Sequence, residues 1–112
     1  MENDFKVVAL IYSGKADPQW QLTKTQADHF LDLFDKAASS EKEAVVPSIL
    51  GYKGIRLASA QRQFLLYDGL ITCYEQGSRF SKKDEKKTIE KYLLNTAPEQ
   101  ILRILAQLNI GT

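Results

Sequence analysis

Ser13-Gly14-Lys15-Ala16-Asp17-Pro18-Gln19-Trp20 gathers a hydroxyl, a cation, a carboxylate and an indole within eight residues. It follows a strand-like run and precedes a helix signal. In such a place, helix N-terminal amides can meet an anion. The run contains neither GxxxxGK[ST] nor GxGxxG, and the helix cap comes only about ten residues after the strand, so a phosphate cradle is weakly encoded. The plainer reading is a turn made by Asp17-Pro18, with Trp20 folded onto the sheet edge as a lid. A second group lies in Gly51–Arg56, where Tyr52, Lys53 and Arg56 are aromatic and basic residues of the kind that anchor binding surfaces. If folding united Lys15, Lys53 and Arg56 beside the sheet edge, they would form an anion pocket. Scattered, they would serve a binding module.

The remaining reactive side chains carry little. His29 is the single imidazole, with Asp32 at i+3 and no serine motif to complete a nucleophilic triad, and the helical wheel puts it on the polar side. Cys73 falls among apolar and aromatic strand residues and reads as a small inert hydrophobe. Glu41 with Glu43, and Asp84 with Glu85, sit in polar stretches where nothing would raise a carboxyl pKa by burial. From Arg79 to Lys91 stand six basic residues and three acids. Lys82, Lys83, Lys86 and Lys87 recur at i, i+3 and i+4 and would crowd one side of a helix. That is a solvated face or a docking surface for an acidic partner or a nucleic-acid backbone. Between Lys82 and Lys87 no aromatic is interleaved for base stacking.

Ser13-Gly14-Lys15 to Asp17-Pro18-x-Trp20, Leu50-Gly51-Tyr52-Lys53-Gly54 and Glu90-Lys91-Tyr92-Leu93-Leu94-Asn95-Thr96-Ala97 together carry a resemblance. The chain resembles a family of small uncharacterised proteins with the pattern S-G-R-P-[DN]-P-x-W, L-G-Y-R-G and a W-L-L-x-T-A helix end. The resemblance touches most of the chain and implies a loop and a turn, but no reaction. Lys15-Ala16 replaces Arg-Pro and Lys53 replaces Arg, which keeps the charge and loses the guanidinium fork.

The elements that must position these residues follow from period and punctuation. Phe5 to Tyr12 is apolar on both alternating faces and reads as a strand covered on both sides or placed centrally. Thr23-Lys24-Thr25-Gln26 is a capping box for a helix from about Lys24 to Ala38, with Ala27, Phe30, Leu31, Phe34 and Ala38 on its apolar stripe. Ser39 to Glu43 reads as a loop. Ile49 to Leu57 reads as a strand whose two glycines mark a bulge or a close backbone approach. Asp68-Gly69 predicts a type I′ hairpin between Gln63–Tyr67 and Leu70–Glu75, the alternative being one long strand bent at Gly69. Gly77-Ser78 reads as the end of the sheet, and Ser81-Lys82-Lys83-Asp84 as the start of a second helix. Thr96-Ala97-Pro98-Glu99 reads as another capping box for a last helix to Leu108, with Gly111 as its C-cap. The order β-α-β-β-β-α-α implies an α+β domain with a small, mainly antiparallel sheet of about four strands and helices packed on it. Its first two strands, joined through a helix, could run parallel.

At 112 residues, 44% hydrophobic and 26% charged, the chain is one ordinary globular domain. A net charge of +1 argues against a polyanion binder. One cysteine and one histidine build neither a disulfide framework nor a zinc site, and no cofactor is expected. The first apolar run is too short for a bilayer span or signal segment, so a cytoplasmic protein without membrane attachment is expected. With no metal cluster, cofactor loop or nucleophile–base pair, the leading expectation is a non-catalytic interaction or regulatory domain. Its partner would be a protein or a small anionic ligand, met by Ser13, Gly14, Lys15, Asp17, Trp20, Tyr52, Lys53 and Arg56. A small enzyme or anion-binding protein stands second, and a weak nucleic-acid binder using Lys82–Lys91 third.

Overall fold

The computed structural model describes residues 4–12, 15–49 and 51–110. Ser13, Gly14, Leu50 and the expected cap Gly111 lie outside the described residues. Seven strands and three helices follow in the order β1 (Lys6–Ala9), β2 (Gln19–Gln21), α1 (Lys24–Lys36), β3 (Ser39–Ser40), β4 (Ile55–Ala58), β5 (Gln63–Tyr67), β6 (Leu70–Glu75), β7 (Ser78–Lys83), α2 (Thr88–Asn95) and α3 (Glu99–Gln107). They build one sheet in the order β2-β1-β4-β5-β6-β7-β3, with every neighbouring pair antiparallel. The α+β class holds. The sheet has seven strands rather than about four, and the first strand pairs antiparallel, not parallel, with the strand at Ile55.

Three added strands account for the difference. Gln19-Trp20-Gln21 hydrogen-bonds to β1 as an edge strand, and Ser39-Ser40 closes the opposite edge against β7. The third is Ser78–Lys83, expected as a sheet end followed by a helix start. Gln76 and Gly77 both take positive φ, 45° and 80°, and make a second hairpin that returns the chain as β7. Backbone pairing with β6 over six residues outweighs the helical spacing of the lysines. The first hairpin forms as expected: Asp68 and Gly69 have φ of 54° and 80°, and Tyr67 pairs with Leu70.

The lysine-rich helix therefore does not exist. Lys82 and Lys83 lie in β7, while Lys86 and Lys87 occupy a short 3₁₀ turn with φ of 56° and 57°. Lys82 Nζ instead donates to the Phe34 and Asp35 carbonyls at 2.8 and 3.1 Å, where a cation complements the C-terminal end of α1.

The core fills one face of the sheet. Along each strand alternate residues point inward: Val7 and Ala9, Ile55 and Leu57, Phe64 and Leu66, Ile71 and Cys73, all essentially inaccessible. Helix α1, capped reciprocally by Thr23 and Gln26 as expected, brings Ala27, Phe30 and Phe34 onto this face. Phe30 and Phe34 meet the Phe64 ring edge-on at 5.0 and 5.1 Å. Ile89 and Leu93 of α2 and Leu105 of α3 complete the same cluster. The Thr96–Glu99 box does not form: Pro98 is the N-cap of α3 and no side chain caps it.

From β3 at one edge the chain must return to β4 near the other. It does so over the outer face, where buried Ala44 donates its N–H to Thr72 Oγ1 at 2.7 Å. Leu65, Thr72 and Ser81 are buried under this crossing although no helix covers them. The strand expected from Ile49 begins only at Ile55. Gly54, at φ +102°, lies so close to β5 that an added Cβ would sit 2.4 Å from the Leu66 carbonyl oxygen.

Candidate functional site

The described members of the expected site divide into structural and exposed groups. Asp17 accepts from the Ile11 and Tyr12 amides through Oδ1, at 2.9 and 2.7 Å, and so ties off the end of β1. Trp20 is buried, its Nε1 donating to Thr96 Oγ1 at 2.9 Å. Lys15 is exposed, with Nζ 4.2 Å from the centre of the Tyr12 ring. Lys53 turns Nζ toward the Ile11 and Gly51 carbonyls at 3.4 and 3.3 Å. These residues stitch the chain near Tyr12 to the chain near Lys53. Arg56 does not join them: it stands exposed on the outer face of β4, in register with Val8 and Leu65. A shallow cavity of about 230 Å³ there is lined by Arg56, Gln63, Phe64, Leu65 and Tyr74, and by neither Lys15 nor Lys53.

Tyr52 leads to a group that the residue pattern missed. Its hydroxyl donates to Glu90 Oε2 at 2.5 Å. Glu90 is 5% exposed, and its Oε1 is buried with no hydrogen-bond partner among the described residues. Beside it Asp84, expected to be solvated, is 2% exposed and accepts the Ile89 and Glu90 amides at 2.8 and 2.9 Å, capping the start of α2. Burial pushes the Glu90 carboxyl above its ordinary range. The Tyr52 hydrogen bond and nearby Lys87 pull the other way, while Asp84 and Asp68 add to the rise. Burial, then the hydrogen bond to Glu90, pushes the Tyr52 phenol far above its usual value. The Tyr52–Glu90 contact ties the segment before β4 to α2. Only the apolar surroundings of Glu90 in Thr88–Asn95 hint at its burial.

His29 is exposed and meets the Tyr92 ring edge-on at 4.7 Å. Cys73 is fully buried. No group of three or more His, Cys, Asp or Glu that could hold a metal occurs among the described residues. No helix among them is long and apolar enough to cross a membrane.

The outer face offers different chemistry. One row of side chains runs Gln21, Lys6, Ala58, Gln63, Tyr74, Arg79 across six strands. The next runs Gln19, Val8, Arg56, Leu65, Thr72, Ser81. The crossing segment shields the second row only from Leu65 onward, and Lys6, Arg56, Gln63, Tyr74 and Arg79 remain exposed. Neither row contains a carboxylate. Asp4 and Glu43 reach its borders, hydrogen-bonded to Gln21 and ion-paired with Arg79 respectively. Comparison of the chain with protein-family models, curated proteins and solved structures returns no match.

Proposed function

We propose that the chain is a non-catalytic interaction domain that receives a partner protein on the open outer face of its sheet. One observation carries this reading: all three helices pack on the opposite face, leaving two rows with three cations, an exposed tyrosine and no carboxylate. Exposed aromatic and basic side chains over a sheet are suited to anchoring a partner, because the backbone beneath them is already ordered and only side-chain freedom is lost on binding. The reactive groups elsewhere support the same reading. Asp17, Tyr52, Asp84 and Trp20 are each engaged in hydrogen bonds that hold the fold.

Site-specific photo-crosslinking in lysate of the source cell tests the proposal. A photoreactive residue at Gln63, on the outer face, is expected to trap a discrete adduct. The same residue at Arg103, on α3 of the opposite layer, is expected to trap none. Reversing two charges (Arg56→Glu with Arg79→Glu) should abolish the Gln63 adduct while leaving the circular dichroism spectrum unchanged. Equal trapping at both positions, or none at Gln63, would contradict an outer-face interaction surface.

A further inference from the structure

The four arginines of the chain are not equivalent. Arg62 faces Glu75 at 3.9 Å, Arg79 holds Glu43 at 2.8 Å and Arg103 holds Glu99 at 2.8 Å. The Arg56 side chain has no ion pair or hydrogen bond among the described residues, and it sits where the crossing segment leaves the outer face open. Two carboxylates bordering that face are engaged, Glu43 with Arg79 and Asp4 with Gln21. The Gln63 amide and the Tyr74 hydroxyl share the Arg56 cavity, and they too lack hydrogen-bond partners among the described residues. Buried Leu65 lies beneath them on the outer face, while Phe64 turns its ring into the core on the other side of the sheet.

We infer that Arg56, Gln63 and Tyr74 form a receptor for one carboxylate, borne by an Asp or Glu side chain of an extended acidic segment of the partner. The inference rests on the outer-face reading above and specifies its chemistry. A guanidinium fork matches a carboxylate with two parallel N–H···O bonds, and an amide and a phenol can donate to the remaining lone pairs. One unpaired cation neutralises one negative charge, which suits a carboxylate better than a phosphate dianion. Lys6 and Arg79 flank the cavity on neighbouring rows and would attract further acidic residues along the same segment.

The test is a titration of the isotope-labelled full chain, followed by backbone amide and arginine side-chain resonances. The probe is a capped peptide of alternating Val and Glu. Control arms are the same peptide with Gln for Glu, and inorganic phosphate. The acidic peptide should shift residues 56, 63 and 74 saturably, and the Gln peptide should not. Arg56→Gln should weaken binding about tenfold or more, and Arg56→Lys should recover only part of it because the fork is lost. Acidic-peptide shifts confined to Lys82–Lys87, or an affinity unchanged in Arg56→Gln, would overturn the assignment. Equal binding of the Gln peptide on the same face would overturn the carboxylate while sparing the interaction surface. Phosphate binding at Arg56 in preference to peptide would replace the partner side chain with a free anion. Failure of every probe to move residues 56, 63 and 74 would end the inference. Whether the outer-face reading falls with it is decided separately by the Gln63 crosslink.

Discussion

Trp20 Nε1 and Thr96 Oγ1 are joined by a 2.9 Å hydrogen bond between residues 76 positions apart, linking edge strand β2 to the end of α2. Thr96 Oγ1 in turn donates to the Leu93 carbonyl, so a single hydroxyl closes the helix and satisfies the indole. The indole N–H is thereby paired inside the protein rather than with water, and Trp20 is only 7% exposed.

Thr96→Val removes the acceptor while keeping the side-chain shape, and leaves a buried N–H unpaired. The expected cost is about 1–2 kcal/mol, read as a lowered urea midpoint with an unchanged slope. Native tryptophan emission should lie well to the blue of the unfolded chain. An unchanged midpoint, or native emission already at the water-exposed position, would show that the contact does not order Trp20.

Gly54 and Gly51 separate steric from conformational cost. Both have positive φ, +102° and +88°, but an added Cβ at Gly54 meets the Leu66 oxygen at 2.4 Å and Tyr67 Cβ at 3.0 Å, whereas at Gly51 it meets nothing within 4 Å. Gly54→Ala should destabilise by about 2–4 kcal/mol and Gly51→Ala by about 1–2 kcal/mol. Thermal unfolding of the two variants side by side checks the order. A reversed order would mean that the close approach to β5 is readily relaxed.

Glu90 makes stability depend on pH in a defined sense. Its carboxyl is raised in the folded state, chiefly by burial, so the native protein binds more protons than the unfolded chain above the ordinary carboxylate range. Its contribution is complete below the unfolded carboxyl pKa and is lost as pH rises toward the folded value. Glu90→Gln imitates the neutral form and should gain stability relative to wild type between about pH 4 and pH 7. Denaturant melts of both proteins at these two pH values give the comparison. A difference that stays constant, or moves against the variant, would mean that Glu90 is ionised in the fold.

Cys73 lies under the helices, with Phe64 and Phe80 as its cross-strand neighbours, and is wholly inaccessible. Its thiol should react with an aromatic disulfide reagent only as fast as the sheet opens, with labelling accelerated by denaturant in step with unfolding. Labelling of the native protein at the unfolded rate would contradict this.

Features built from neighbouring residues were legible in the sequence. The Thr23–Gln26 box, the Ala27, Phe30 and Phe34 stripe of α1 and the Asp68-Gly69 hairpin each depend on side chains or φ angles within four residues, and each formed as read, whereas Ala38 falls beyond the end of α1 and is exposed. The α+β class followed from the same signals. Other features were decided by partners far along the chain. Ser39-Ser40 has no apolar period and becomes a strand only because β7 offers it a free edge. Lys82, Lys83, Lys86 and Lys87 mimic a helical face, but the pairing of Ser78–Lys83 with β6 fixes alternation instead and sends Lys82 to the end of α1. Glu90 looks like one more surface charge until Tyr52, 38 residues earlier, is brought against it. Arg56 was legible as a basic member of the Gly51–Arg56 group, but not as the arginine left without an ion pair. Its distinction lies in which carboxylates the fold spends on its other arginines, and ion pairs between strands and loops depend on register and chain crossing, which no local spacing encodes.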